Sequence, residues 1–245
     1  MTESERTLSP TEHERQNDTG SRCAPPPKSL LRDYAETIIV AVLLVLIIKT
    51  FVFQQFKIPT ESMQDTLLIG DHLMVNKFIY GVPTHTALDH LLPTREVRRQ
   101  DVIVFRSPKR PSVDYIKRAM GLPGERVAIK KKVLFVNGEP LAEGYIRHTR
   151  PGTRGLGDEI GPRDIDFGYY FVLGDNRDES NDSRFWGEVP EDLIRGRAFL
   201  IWWSFAERPG DWKKRDLKSR SRQIYEKLRF FFTKTRWDRM FSIVR

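Results

Sequence analysis

The longest apolar run of the chain is "AETIIVAVLLVLIIKTFVF", residues 35–53, whose only charges are Glu36 and Lys49 near its two ends. A helix of this length rises about 28 Å, close to the thickness of a hydrocarbon core. A buried core helix usually keeps a polar face, and residues 38–48 show none. A cleaved signal peptide is followed by small residues of the A-x-A type, which this sequence lacks here. The pattern predicts a retained transmembrane anchor over residues 34–53.

Basic residues flank both ends of the predicted anchor. Three precede it and two lie at its other end: Arg22, Lys28 and Arg32, then Lys49 and Lys57. This count favours a cytoplasmic N-terminus by a small margin. Residues 1–33 are rich in Ser, Thr, Glu and Pro, which predicts a short disordered cytoplasmic segment.

Beyond the anchor the period of the pattern changes to that of β-strands. "DVIVF" (101–105) and "YYFVLGD" (169–175) are short β-branched or aromatic runs bounded by turn residues, and "AFLIWWSF" (198–205) is apolar on both faces. Asn137-Gly138 separates two further candidate strands and predicts a hairpin. We predict a mainly β domain over residues 54–212, formed by an antiparallel, partly barrel-like sheet.

The chain has 245 residues, enough for one sizeable domain, and a formal net charge of +8. Residues 54–212 hold 23 basic and 23 acidic residues, whereas residues 213–245 hold twelve basic and three acidic ones. Nucleic-acid-binding domains usually carry a basic stripe on the fold itself. Because the excess charge belongs to the tail, no nucleic-acid partner is predicted.

The basic tail, residues 213–245, also carries apolar side chains at helical spacing: Leu217, Ile224, Leu228 and Phe231, then Trp237, Met240, Phe241 and Val244. No stretch there approaches the length of a second membrane span. The pattern predicts an amphipathic helix at the membrane interface, with its basic face toward anionic phospholipids. The alternative is a solvated or disordered tail.

Cysteine and histidine usage argues against metal and disulfide chemistry. The only cysteine is Cys23, so no intrachain disulfide or thiol nucleophile in the β domain is possible. None of the five histidines forms an H-E-x-x-H arrangement, and His85 and His90 in "THTALDH" are more typical of a solvated loop than of a ligand pair. We predict neither a metal nor a cofactor.

Ser62 lies in "KIPTESMQDTLLIGDHLMVNK", residues 57–77, shortly after the anchor. Neither G-x-S-x-G nor S-x-x-K surrounds it, since Asp65 stands three residues later. A serine nucleophile needs a base, and Lys117 in "SVDYIKRAMGLPGERV" follows a strand-like alternation that would direct its side chain into an apolar site. Burial can lower a lysine pKa by roughly 3–5 units. The alternative for Lys117 alone is an ordinary lysine at a strand edge.

Five blocks occur in order along the chain: "IPTESMQDTLLIGD", "GDHLMVNKFIYG", "QDVIVF", "DYIKRAMGLPGERV" and "GDNRDESNDSRFWGEVP". Together they resemble bacterial type I signal peptidase, a membrane-anchored endopeptidase with a Ser/Lys dyad. The resemblance runs from the anchor to about Ser204. Single pairs such as Ser-Met are common, but S-M, Y-I-K-R and G-D-N-R-D-x-S-x-D-S-R in this order are specific.

The resemblance implies roles for individual residues. Ser62 matches the nucleophile and Lys117 its general base, while Thr60 matches the hydroxyl that completes the oxyanion hole with the Ser62 backbone N–H. Ser180 matches a serine that hydrogen-bonds the lysine and helps to orient it. Two further residues match a supporting ion pair: Asp182 and Arg184. Five positions match those that line the shallow substrate pockets: Phe56, Ile58, Leu67, Tyr115 and Ile116.

The resemblance also implies the activity. It predicts removal of N-terminal signal peptides from preproteins at the bacterial inner membrane, after small residues at positions −3 and −1, by an extracytoplasmic domain. Asp65 replaces a proline common in the family and Glu61 a frequent glycine, and a carboxylate at either place would raise the pKa of the lysine. The family's inserted β subdomain is expected to be reduced here, at about residues 127–168.

Two other functions fit parts of the sequence. Soluble Ser/Lys autoproteases of the repressor-cleaving kind share this fold and dyad, but they carry a DNA-binding domain and no membrane anchor. A non-catalytic, membrane-tethered lipid- or partner-binding module that retains the fold is the alternative from another class. Replacing Ser62 by alanine distinguishes a binding module, which keeps its function, from an endopeptidase.

Overall fold

The computed structural model describes residues 30–47, 53–80, 94–149, 155, 157–210 and 216–245. Helix α1, Leu30–Ile47, covers the first part of the predicted anchor and begins within the segment predicted to be disordered. Residues 1–29, and residues 48–52 of the predicted anchor, lie outside the described residues. In the described part of the chain, no helix combines the length and the apolar character needed to cross a membrane.

The predicted mainly β architecture is confirmed by two antiparallel sheets. The main sheet has eight strands: β1 Phe53–Lys57, β2 Asp71–Asn76, β3 Val102–Arg106, β4 Asp114–Gly121, β9 Tyr169–Leu173, β10 Val189–Pro190, β11 Ile194–Ser204 and β12 Ser242–Ile243. Its order is β1-β2-β11-β3-β4-β9-β10, with β12 added to β11. Register shifts in the pairings of β11 and of β4 with β9 bend the sheet, since a bulge locally increases strand twist.

The second, smaller sheet is inserted between β4 and β9. It has four strands in the order β7-β6-β5-β8: β5 Arg126–Lys130, β6 Val133–Val136, β7 Glu139–Pro140 and β8 Ile160–Asp164. The predicted hairpin at Asn137-Gly138 is confirmed, because these two residues connect β6 and β7. Both have positive φ, 51° and 91°, as a type I′ turn requires.

Buried apolar side chains explain why these segments form central strands. Every residue from Val102 to Phe105 in β3 is buried, and successive side chains enter two different core clusters. A strand covered on both faces has this continuous apolar pattern. A third cluster, which includes Phe171 and Val127, joins the main sheet to the second sheet. The core therefore holds these strands in place, and β4 and the loop after β9 contribute residues to the candidate site.

The basic tail contains two helices, α3 Leu217–Arg229 and α4 Phe231–Lys234, but its last part is not helical. Residues Trp237–Arg239 form a 3-10 turn and β12 pairs with β11, so the helix predicted over residues 237–244 is wrong. Val244 lies in the core cluster with Met63 and Leu67. The apolar spacing correctly indicated that Val244 is buried. The backbone of residues 242–243 forms its hydrogen bonds with β11 instead of within a helix.

Neighbouring side chains near β12 allow a stability test of this docking. Val244 is 3% exposed and Ile243 is 66% exposed. We expect Val244→Ala to lower the free energy of unfolding by about 1–3 kcal/mol, because it removes two buried methyl groups and leaves a cavity. Ile243→Ala, the matched control, should change it by less than about 0.5 kcal/mol. Urea denaturation followed by circular dichroism measures both, and equal effects would contradict the docking of this segment.

Candidate active site

Ser62 lies in a compact turn between β1 and β2. Two residues that follow Ser62 in this turn, Met63 and Leu67, have side chains buried in the core. The Leu67 amide donates to the Met63 carbonyl at 2.7 Å. The spacing of four positions between Met63 and Leu67 thus places both apolar side chains in the core beneath the turn. Ser62 itself is half-buried at the surface of the domain.

Lys117 lies in β4, opposite Ile103 of β3. It is 5% exposed, and its Nζ donates to Ser62 Oγ at 2.6 Å and to the Ile116 carbonyl at 3.1 Å. The structure therefore brings together two residues that are 55 positions apart in the sequence. A hydroxyl and a buried amine at this separation have the geometry of a nucleophile and its base.

Burial lowers the pKa of Lys117 from 10.5 to about 8, because the ammonium ion loses its hydration. The carboxylates of Asp182 and Asp175 oppose this shift, and Arg184 contributes to it. The carboxylates that act on Lys117 are therefore these two buried groups, rather than Glu61 and Asp65 as the sequence suggested. Near neutral pH a useful fraction of the amine is unprotonated.

The loop after β9, residues 174–182, encloses the other side of the dyad. A Cβ atom at Gly174 would overlap both the Ser180 side chain and the Ser62 carbonyl oxygen, so only glycine fits there. The Asn176 backbone amide donates to the Ser62 carbonyl at 3.2 Å, and its side-chain amide donates to the Glu61 carbonyl at 3.3 Å. This loop thus fixes the backbone of the serine directly.

The three predicted supporting residues lie in this loop and in the short helix α2, Ser183–Trp186. Ser180 is 5% exposed and packs against Gly174, but its hydroxyl has no hydrogen-bond partner within the described residues. The expected hydrogen bond between Ser180 and Lys117 is therefore not formed, because the amine donates to Ser62 and to the Ile116 carbonyl instead. Asp182 is fully buried, accepts from the Gly174 amide at 2.9 Å and caps α2. Arg184 Nε donates to Asp182 at 2.8 Å, which confirms the expected contact between the two.

A second buried ion pair lies beside Lys117. Arg118 and Asp175 are each 1% exposed and make a bidentate contact, with Nε at 2.8 Å and Nη2 at 2.7 Å from the carboxylate oxygens. Thr66 of the serine turn donates to the same carboxylate at 2.5 Å. Our sequence reasoning missed this pair, although Arg118 and Asp175 stand inside the quoted motifs. The available signal was one further charged residue in each motif: Arg118, next to Lys117, and Asp175, next to Gly174.

Asp65, which replaces the family's proline, adopts a left-handed backbone conformation with φ of 85°. Its carboxylate accepts from Arg147 Nη1 at 2.7 Å. Arg147 is itself fixed by backbone hydrogen bonds with Asp175 and Arg177. An ion pair to a neighbouring segment therefore helps to hold this turn, whose backbone conformation at Asp65 a proline, with φ fixed near about −65°, could not adopt. Both side chains are about half exposed, so the pair contributes little more than about 1 kcal/mol.

The remaining predicted residues fall into two groups. Ile58 and Leu67, at 3% and 0% exposure, belong to the core beneath the serine turn. Phe56, Tyr115 and Ile116 are half-buried, and Thr60 is exposed. The same apolar spacing fits a core position and a pocket wall, which is why sequence alone did not separate them.

The described part of the site contains no cluster of metal-ligating side chains. Among residues 30–47, 53–80, 94–149, 155, 157–210 and 216–245, no cluster of three His, Cys, Asp or Glu side chains is placed to hold a metal ion. His85 and His90 lie outside the described residues, so their assignment as solvated loop residues stays a prediction.

The chain is similar to known proteins over most of its length. The family model described as signal peptidase, peptidase S26, matches residues 31–203. A signal peptidase I of Pseudomonas aeruginosa is 36% identical over 212 residues, covering 73% of this chain and 74% of that protein. A signal peptidase I of Leptolyngbya laminosa is 40% identical over 186 residues, covering 73% and 83%.

A solved structure of a signal peptidase I from Enterococcus faecalis V583 is 32% identical, covers 42% of this chain and 97% of that chain, and has a TM-score of 0.35. The match of the family model covers more than half of the sequence, and it spans both Ser62 and Lys117. The resemblance inferred from the five motifs is thereby confirmed. This chain belongs to the signal peptidase family, peptidase S26.

Proposed function

We propose that this protein is a serine endopeptidase that removes signal peptides from preproteins, with Ser62 as nucleophile and Lys117 as general base. The single observation that carries the assignment of the dyad is the 2.6 Å contact between the buried Lys117 amine and the Ser62 hydroxyl. Family membership supports the reaction class. A binding module would have no need to bury a lysine in this position.

In the acylation step, Ser62 Oγ attacks the scissile carbonyl carbon and its proton moves to Lys117 Nζ. The tetrahedral intermediate collapses when the C–N bond breaks, and the Lys117 ammonium gives its proton to the leaving amine. The Ser62 backbone N–H and the Thr60 hydroxyl are the proposed donors to the oxyanion. One such donor is worth about 3–4 kcal/mol in known cases.

In the deacylation step, water attacks the ester carbonyl and gives a proton to Lys117. The ester C–O bond then breaks and the proton returns to Ser62 Oγ, which restores the enzyme. Ser180, Asp182 and Arg184 act by positioning the loop around the amine. No step requires a metal ion or a nucleotide.

The substrate peptide is proposed to extend along β4 near the dyad. In the described pairings, β4 pairs with β3 along Asp114–Arg118, while its pairing with β9 begins only at Arg118. The first half of β4 therefore has an open edge next to Lys117. An extended peptide can add to such an edge by main-chain hydrogen bonds and place alternate side chains in pockets. Phe56, Tyr115 and Ile116 have the partial exposure that this role requires.

We further propose that residues 34–53 anchor the chain in the bacterial inner membrane, with residues 1–33 cytoplasmic and the β domain, residues 54–212, outside the cytoplasm. The apolar residues of α1 from Ile38 to Leu46 are exposed, which supports contact with an apolar phase. An anchor ending nine residues before Ser62 would hold the nucleophile near the membrane surface, where a signal peptide presents its cleavage site.

The tail is proposed to contact anionic phospholipids through α3 and α4. Ile224, Leu228 and Phe232 are 61%, 76% and 78% exposed, and basic residues lie beside them on the same helices. An apolar surface bordered by arginines and lysines suits the interface of a negatively charged membrane.

Substitution of the dyad tests the proposed reaction. We expect Ser62→Ala and Lys117→Met to lower the rate of preprotein cleavage in detergent by at least about 10³-fold, because each removes a group that acts in every step. Lys109→Met, which removes an exposed lysine from a turn, is the matched control and should retain the wild-type rate. EDTA should have no effect. Cleavage by folded Lys117→Met at the wild-type rate would refute the mechanism.

The pH profile tests the environment of the base. The reactive form of Lys117 is the neutral amine, and its pKa is lowered to about 8. We therefore expect kcat/KM to rise about tenfold per pH unit below pH 8 and to level off above it. Circular dichroism over the same pH range distinguishes this fall of kcat/KM below pH 8 from a loss of activity caused by acid unfolding. If kcat/KM instead kept rising until about pH 10, the amine would be solvated during catalysis.

The proposed lipid contact can be measured by hydrogen–deuterium exchange of peptides from residues 217–234 in the full chain. We expect slower exchange in phosphatidylglycerol than in phosphatidylcholine liposomes, and loss of this difference in Leu228→Ser/Phe232→Ser. Phe167→Ser is the control, since Phe167 is 87% exposed outside the tail. Deletion of the whole tail is unsuitable because Val244 belongs to the core. Equal exchange in both lipids would contradict the proposal.

A further inference from the structure

The segment that follows α4, residues 235–245, returns to the main sheet and contacts the turn that carries Ser62. Backbone hydrogen bonds attach it near both ends. The Arg236 amide donates to the Ser204 carbonyl at 2.9 Å, and the Val244 amide donates to the Phe199 carbonyl at 3.0 Å. The side chains between these two points are therefore held at fixed positions relative to β11.

Arg239 extends from this segment to the serine turn. Its Nη2 donates to the Thr66 backbone carbonyl at 2.9 Å and to Asp71 Oδ2 at 2.7 Å. Thr66 is four residues after Ser62 in the same turn, and Asp71 is the first residue of β2. One guanidinium nitrogen thus connects the end of the turn to the strand on which the turn rests.

Asp71 requires these contacts because its carboxylate is fully buried. It accepts from the Leu68 amide at 2.8 Å and from Ser204 Oγ at 2.6 Å, while Arg236 lies 3.5 Å away. A buried carboxylate that loses its cationic partner becomes an uncompensated charge. Arg239 makes the shorter of the two ion pairs to Asp71, so its removal would disturb the hydrogen bonds that shape the turn.

The same segment also contacts the lysine side of the dyad. Arg118, the neighbour of Lys117 in β4, donates from Nη1 to the backbone oxygen of Arg245 at 3.0 Å. Val244 packs in the core cluster that includes Met63 and Leu67, which anchor the serine turn. Residues 235–245 therefore connect the supports of the nucleophile with the support of its base.

We propose that Arg239 is a positioning residue for Ser62, which holds the serine turn at hydrogen-bond distance from Lys117. The inference rests on the proposed function of the dyad. Arg239 touches neither Ser62 nor Lys117 in any described contact, and it acts through the Thr66 carbonyl and Asp71. A displacement of about 1 Å at a reacting group can cost about 100-fold in rate. We therefore expect the loss of Arg239 to lower kcat rather than to raise KM.

The test compares three full-length variants in a peptide-cleavage assay in detergent. Arg239→Gln should lower kcat by about 10- to 100-fold with KM changed by less than about threefold. Arg239→Lys, which keeps a cation and several donors, should recover part of that loss. Asp238→Asn changes an exposed charge in the same 3-10 turn and should retain the wild-type kcat. Thermal unfolding of each variant fixes an assay temperature at which all are folded.

Each outcome decides the proposal. A folded Arg239→Gln with the wild-type kcat, or one in which only KM rises, would overturn it. A rate loss equal to the unfolded fraction would assign Arg239 a purely structural role and also overturn it. If Arg239→Gln does not fold, Arg239→Lys decides by the same criterion for kcat. Failure of the wild-type chain to cleave, or cleavage by Ser62→Ala, would instead refute the proposed function.

Discussion

The burial of the Lys117 amine against the Ser62 hydroxyl is the constraint on which the rest of the domain depends. Desolvation lowers the pKa of the lysine to about 8, which by linkage costs on the order of 3 kcal/mol of folding free energy. The surrounding structure must supply this energy. The buried core residues of β3 and β4, the serine turn and the loop that contains Gly174 supply it through their own packing.

Charge pairing around the amine follows from the same constraint. Asp182 and Asp175 both raise the pKa of Lys117, and an unpaired carboxylate would raise it further. Each carboxylate is instead paired with an arginine, Arg184 or Arg118, at hydrogen-bond distance. The two ion pairs therefore have two consequences: they shape the loop, and they limit the negative potential at the base.

Contacts distant in sequence hold the serine turn itself. Asn176 binds the Ser62 carbonyl from one side, and the 235–245 segment contacts Thr66 and Asp71 from another. The ion pair of Asp65 with Arg147 adds a third attachment. A turn with a positive φ at a non-glycine residue is strained, and these attachments explain how such a turn stays in place.

Local patterns predicted several elements of the fold correctly. The β-branched and aromatic runs at 101–105 and 169–175 became β3 and β9, and Asn137-Gly138 became the turn of a hairpin. These elements depend mainly on local backbone preferences and on burial of both faces. The tail misled the same reasoning, because helical spacing up to residue 244 did not reveal that β11 offers an open edge to residues 242–243.

By itself, the sequence determined the family and the pair of residues proposed to react, since motifs in a fixed order carry that information. Only the tertiary structure decided which apolar residues are core and which are exposed, and which carboxylates act on Lys117. Those properties depend on distances and on exclusion of water between segments far apart in the chain, so no local pattern contains them.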